Sequence, residues 1–233
     1  AGAGIADARW TTSRIQELIA SRAATARLLL DAVKCSGIHV EAMVSAAGIN
    51  LYGARTTEHL HAESDPAGTD TIARICVEWE SAVDEWASVA RVVKLRTPLV
   101  LAPTGGGLQR LVGPARYGLG AILGSGLQWM PWVHLDDLVR IQVMALNDTA
   151  FSGAYHVNTG NDVTHATFMS TVATIVGKPI ILPRLPAFVL RMALGDLSSI
   201  ILHGSRASNA RLLGTGFHFQ HPDMEAALRK LLG

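Results

Sequence analysis

An α/β fold built on a parallel sheet is what this sequence predicts, and three observations carry the prediction. Helix-length and strand-length apolar patterns alternate through the first hundred residues. Each strand candidate is separated from the next by a helix and not by a hairpin turn, which is the spacing of parallel βαβ units with right-handed crossovers. Hydrophobic residues make up 49% of the 233, and charged residues only 17% against about 25% in an average domain, as expected when a sheet is covered on both faces.

The elements follow in order. "AGAGIADARW" has the texture of a strand exit. Thr12 or Ser13 can cap a helix, and Ile15, Leu18, Ile19, Ala26, Leu29, Leu30 and Val33 mark one buried face, ended by Gly37. "HVEAMVS" (39–45) reads as a strand, 70–88 as a second helix and "ARVVKLR" (90–96) as another strand. Beyond residue 97, Gly and Pro punctuate shorter elements. These include a helix from about Asp136 to Leu146 with Asp136 or Asp137 as its cap, the strand "GAYHVN" and a helix after Thr164. The chain divides by this reading into 1–100, 101–182 and a small, mostly helical module at 183–233.

Composition excludes several classes. A net charge of +1 without a basic block leaves no footprint for nucleic acid or an anionic membrane. The most apolar late stretch is broken by Arg184, Arg191, Asp196 and two prolines, too early to span a bilayer. Cys35 and Cys76 fit no disulfide or zinc pattern and read as reduced, packed thiols, which points to the cytoplasm.

Candidate chemistry starts with glycine. "GAGIAD" (2–7) imitates a G-x-G-x-x-G fingerprint, but Asp7 occupies the third glycine position. "TGGG" (104–107) either presents backbone N–H groups to an anion or is a turn. Ser45 and Tyr52 stand where a strand exit displays an acid–base pair. Short-chain dehydrogenase chemistry also needs a lysine four residues after the tyrosine to lower its pKa. Tyr52, Tyr117 and Tyr155 are followed at that spacing by Thr56, Ala121 and Thr159, and no lysine has a tyrosine four residues before it. A tyrosine near its reference pKa of about 10 is a poor base at neutral pH, so packing or pocket lining is the favoured role of Tyr52.

Arg22 falls almost on the apolar stripe of the first helix and calls for a partner, a ligand or a snorkelling path. "WMPWVHLDDLV" gathers aromatics, His134 and two carboxylates. "HLH" (59–61) and "HFQH" (218–221) lack the further ligands that a metal site requires, so no metal is assigned.

The strings "IADARWTTSRIQELIASRAATARLL", "CVEWE" (76–80), "LRTPLVLAPTGGGLQRLVGPARYGLGAILGSGLQWMPWVHLDDLV", "GAYHVNTGNDVTHATFMSTVATIVGKP" and "LLGTGFHFQHPD" resemble the atypical short-chain dehydrogenase/reductase family labelled epimerase-like, which carries a C-terminal domain of unknown function. The resemblance runs over essentially the whole chain. It implies part of a Rossmann-like parallel sheet beginning at the end of the fourth strand, a smaller α/β substrate lobe and a helical C-terminal module. It also implies NADP(H) as ligand. Gly2, Ser45, Ala46, Ala47, Tyr52, Thr97 and Pro98 would lie near the cofactor, and Arg22, Arg116, His134 and Asp136 would line or brace the cleft. Cys76 would stand in the lysine's place, and the catalytic Ser/Thr position falls on Ala47 or Ser45.

Two function classes follow: an NADP(H)-dependent oxidoreductase or sugar-nucleotide epimerase-like protein, and a non-catalytic dinucleotide sensor or scaffold. The family's glycine-rich loop falls before Ala1, so weak or no dinucleotide binding is expected of residues 1–233. An unpaired sheet edge, covered by an oligomer or partner, is expected as well.

Overall fold

A computed structural model describes residues 2–233. Helix α1 (Thr12–Ser36) leads into β1 (Ala42–Gly48), a 3-10 turn (Ile49–Tyr52) and β2 (Leu60–His61). Then come α2 (Thr71–Asp84), continued by a 3-10 turn (Glu85–Ser88), β3 (Arg91–Thr97), β4 (Leu99–Leu101) and α3 (Gly106–Arg116). Strands β5 (Trp129–Met130) and β6 (Trp132–His134) feed α4 (Leu135–Asn147), β7 (Gly153–His156), β8 (Val163–Thr164) and α5 (His165–Val176). The remainder holds α6 (Ala187–Leu194), a 3-10 turn (Gly195–Ser198), α7 (Ser199–Leu202), β9 (Arg206–Ala207), α8 (Ala210–Leu213) and α9 (Met224–Leu232).

The central sheet is parallel, in the order β1, β3, β7, as the βαβ spacing predicts. Among the described residues β1 pairs on one side only, with Ser45 opposite Lys94 and Gly48 opposite Thr97. Alternation along the strands sorts side chains into two layers. Met43 and Val92 pack with Ala23, Ala26, Ala82 and Val83 of α1 and α2. Val44, Val93 and Leu95 pack with Ile141, Ala145, Phe151, Leu212 and Phe217 on the opposite face. A second core joins α3, α5 and α9 to the β4 and β6 pair through Leu101, Leu108, Trp132, Phe168 and Leu228. Residues of the C-terminal segment therefore enter several cores: Leu197, Leu212 and Leu228 each belong to a different one.

Local signals explain most boundaries. Gly37 ends α1 in the left-handed conformation at φ 67°, with its N–H bonded to the Val33 carbonyl. The cap of α1 is Thr11 and not Thr12 or Ser13; its hydroxyl accepts from the Arg14 N–H. The cap of α4 is His134 and not Asp136 or Asp137. Its Nδ1 accepts from the Asp136 N–H, an acceptor role that sequence rules assign to Ser, Thr, Asp or Asn. Strand β1 lies three residues later than "HVEAMVS" predicts, because its inward residues are Met43, Ser45 and Ala47. Leu29 is exposed beside the buried stripe of Leu18, Ala23, Ala26 and Leu30, and Cys35 is exposed and not packed, while Cys76 is buried. No helix among the described residues is long and apolar enough to cross a membrane.

Candidate active site at the carboxyl ends of the sheet

Strand β3 carries Lys94 and Arg96 at alternate positions, turned toward α2, where Glu80 and Asp84 sit one helical turn apart. Arg96 grips Glu80 with two bonds, Nε to Oε1 at 2.8 Å and Nη2 to Oε2 at 3.0 Å. Lys94 adds contacts to Glu80 at 3.2 Å and Asp84 at 2.8 Å. Burial alone would raise the Glu80 carboxyl, but Arg96 and Lys94 outweigh it and hold the group below its ordinary range. Burial would likewise lower Arg96, and Glu80 reverses the sign.

Tyr52 joins this pair to the far strand. Its hydroxyl accepts from Arg96 Nη1 at 2.8 Å, lies 3.0 Å from the Ala62 carbonyl and meets His156 Nε2 at 2.5 Å. His156 Nδ1 lies 2.8 Å from the Ser208 carbonyl, which assigns the ring proton to Nδ1 and leaves Nε2 to accept from Tyr52. Burial raises the Tyr52 hydroxyl well above the ordinary tyrosine range despite the neighbouring Arg96. Burial also keeps His156 neutral. The candidate acid–base hydroxyl is thus a fixed node inside the core, 5% exposed, and not a base poised at a cleft.

The other sequence candidates separate. Ser45 and Ala47 are buried on the α2 side, with the Ser45 hydroxyl donating to the Ala46 carbonyl at 2.8 Å, whereas Ala46 is exposed. Thr97 and Pro98 are half-buried at the end of β3, and Gly2 is exposed. Helix α2 passes so close to the end of β1 that a Cβ on Gly48 would lie 2.7 Å from Cys76 Sγ. The i, i+4 pair that α2 brings to this place is Cys76 and Glu80.

Arg22 has found its partners within the fold. It donates to the Leu18 and Ala3 carbonyls and lies 5.1 Å from the Trp79 ring. Arg116 is exposed at the end of α3. His134 and Asp136 sit at the start of α4 with His221 and Lys230, whose side-chain nitrogens lie 3.4 and 3.5 Å from Asp136 Oδ2. The "GAGIAD" segment forms turns and not a helix start, and the Asp7 carboxylate folds against Gly4 and pairs with Arg110. An acid in that place repels a pyrophosphate.

Sequence reasoning missed Glu80, Arg96 and His156. The available signal was the charged alternation in "VVKLR", which in a buried strand demands oppositely charged partners on the covering helix.

This arrangement is that of a parallel α/β protein with a candidate site at its strand ends, and comparison with known proteins gives its family. The NAD dependent epimerase/dehydratase family model matches residues 1–160, and a domain of unknown function, DUF1731, matches residues 185–231. The chain belongs to the NAD dependent epimerase/dehydratase family. It is 37% identical over 229 residues to epimerase family protein MT2273 of Mycobacterium tuberculosis, covering 97% of this chain and 75% of that protein. The crystal structure of human epimerase family protein SDR39U1 (isoform 2) with NADPH superposes with a TM-score of 0.91 at 29% identity, over 99% of this chain and 79% of that one. A nucleoside-diphosphate sugar epimerase from Corynebacterium glutamicum gives a TM-score of 0.75 at 26% identity, covering 95% of this chain and 43% of that one.

Proposed function

We propose that this protein binds NADP(H) with the nicotinamide end over the carboxyl ends of β1 and β3, and works as an oxidoreductase or sugar-nucleotide epimerase-like protein. The observation that carries the reading is convergence: Ala46 is exposed on β1, Gly48 lies opposite Thr97 at the carboxyl end of the sheet, and Cys76 of α2 closes against Gly48 there. Ligands of parallel α/β sheets bind outside those strand ends. The NADPH in the human relative's structure supports the choice of cofactor.

Ala46 is exposed, and Thr97 and Pro98 are partly so, so a nicotinamide laid across these positions meets no large side chain from them. No described helix start fits the pyrophosphate in the 2–7 segment. When bound, the cofactor supplies or accepts the hydride. The chain's own residues position and shield. Burial pushes the Cys76 thiol up to about 12, so it keeps its proton at neutral pH, and Glu80 stays ionised between Arg96 and Lys94. Neither reproduces the proton transfer of a tyrosine lowered by lysine.

That absence favours a second reading, a dinucleotide sensor or scaffold without turnover. NADPH fluorescence titration of the protein, followed by carbonyl and sugar-nucleotide turnover assays, separates the two. Saturable binding with turnover supports the enzyme and binding without turnover supports the sensor. Absence of saturable binding overturns both.

A further inference from the structure

Residues 59 to 65 read H-L-H-A-E-S-D, and the fold closes them on one point. His59 just precedes strand β2 and His61 ends it, and their rings meet edge to face with centroids 4.5 Å apart. A turn closed by the Asp65 N–H on the Ala62 carbonyl then brings Asp65 back beneath both rings. His59 Nε2 lies 2.7 Å and His61 Nδ1 3.1 Å from the same oxygen, Asp65 Oδ2, and the three donor atoms lie within 4.8 Å of one another. Bonds of about 2.0–2.2 Å to a tetrahedral ion place ligand atoms about 3.3 Å apart, so small rotations suffice to seat one.

The frame under these donors is held from both sides. The Ala62 carbonyl faces the Tyr52 hydroxyl, the Glu63 carbonyl accepts from Arg96, and Glu63 Oε1 accepts from the His156 N–H. The His61 ring stacks on Tyr52 with centroids 4.1 Å apart and planes at 10°. One ligand is therefore locked in place and the turn carrying another is tied to a buried network, the preorganisation that a metal site requires. The His59 side chain is 62% exposed, which leaves coordination positions open to water.

We infer that His59, His61 and Asp65 form a binding site for a divalent first-row transition metal, zinc being the reference ion. Two imidazoles and one carboxylate with open positions suit such ions better than magnesium or calcium, which prefer all-oxygen shells. The second triad, His134, Asp136 and His221, is less suited. Its His134 Nδ1 is engaged by the Asp136 N–H, and the Lys230 ammonium lies 3.5 Å from the carboxylate that a cation would need.

The test titrates tag-free protein with Co(II), read by its visible absorption and by displacement with Zn(II). One equivalent is expected to bind, with affinity weakened about tenfold or more in His59→Ala and Asp65→Asn and unchanged in His221→Ala. His59 is mostly exposed, so its variant keeps the fold, checked by circular dichroism. A wild-type affinity no tighter than that of the His59→Ala/Asp65→Asn double variant overturns the site, as does loss of binding in His221→Ala instead.

Discussion

Arg96 and Glu80 form a two-pronged ion pair between strand β3 and helix α2, each only 6% exposed. Removing one charge leaves the other buried without its partner. Glu80→Leu is expected to destabilise the protein by about 3 kcal/mol, and the Glu80→Leu/Arg96→Met double variant by less than the sum of Glu80→Leu and Arg96→Met. Urea unfolding of the four proteins measures the coupling. Strict additivity would contradict the pair as a unit.

Tyr52→Phe removes a hydroxyl shared by Arg96, Ala62 and His156. The expected loss is about 1–3 kcal/mol of stability, because the partners become buried and unsatisfied. Because burial raises this hydroxyl, ultraviolet titration of the native protein should show Tyr52 silent through the ordinary tyrosine range near about 10.

Thiol chemistry distinguishes the two cysteines. Cys35 is exposed, whereas Cys76 is 3% exposed with its thiol pushed up to about 12. An aromatic disulfide reagent should titrate one thiol rapidly in the native protein and two after denaturation, and Cys35→Ser should abolish the rapid phase.

Stability should fall with acid over a defined window. His165 is 2% exposed, neither ring nitrogen has a hydrogen-bond partner among the described residues, and burial lowers it to about 4 from an ordinary 6.5. The unfolded chain therefore takes up its proton first as pH falls. The contribution is complete above about 6.5 and is lost progressively down to about 4. His156 shifts in the same direction, and Glu80, held below its ordinary range, adds a loss at still lower pH. Denaturation midpoints at pH 7.5, 6 and 5 should show the slope, and His165→Phe should flatten it.

The parallel sheet and the main helices were legible because apolar periodicity and Gly37-type stops act locally. Family resemblance located the strand ends. The His134 cap, the approach of Cys76 to Gly48 and the convergence of His59 and His61 on Asp65 were not legible, since each depends on where a turn or a neighbouring element sets a side chain. Tyr52 shows the division well. Its lack of a lysine four residues on could be read directly, but its burial between Arg96 and His156 required the register of three strands.

The nicotinamide placement is tested most directly by NADPH affinity in the wild type and in Ala46→Glu, measured by fluorescence. Ala46 is exposed at the end of β1, so the substitution should leave the fold intact while placing charge and bulk at the proposed ring position. The account predicts saturable binding weakened at least about tenfold, or 1.4 kcal/mol, by Ala46→Glu. Equal affinities would contradict it.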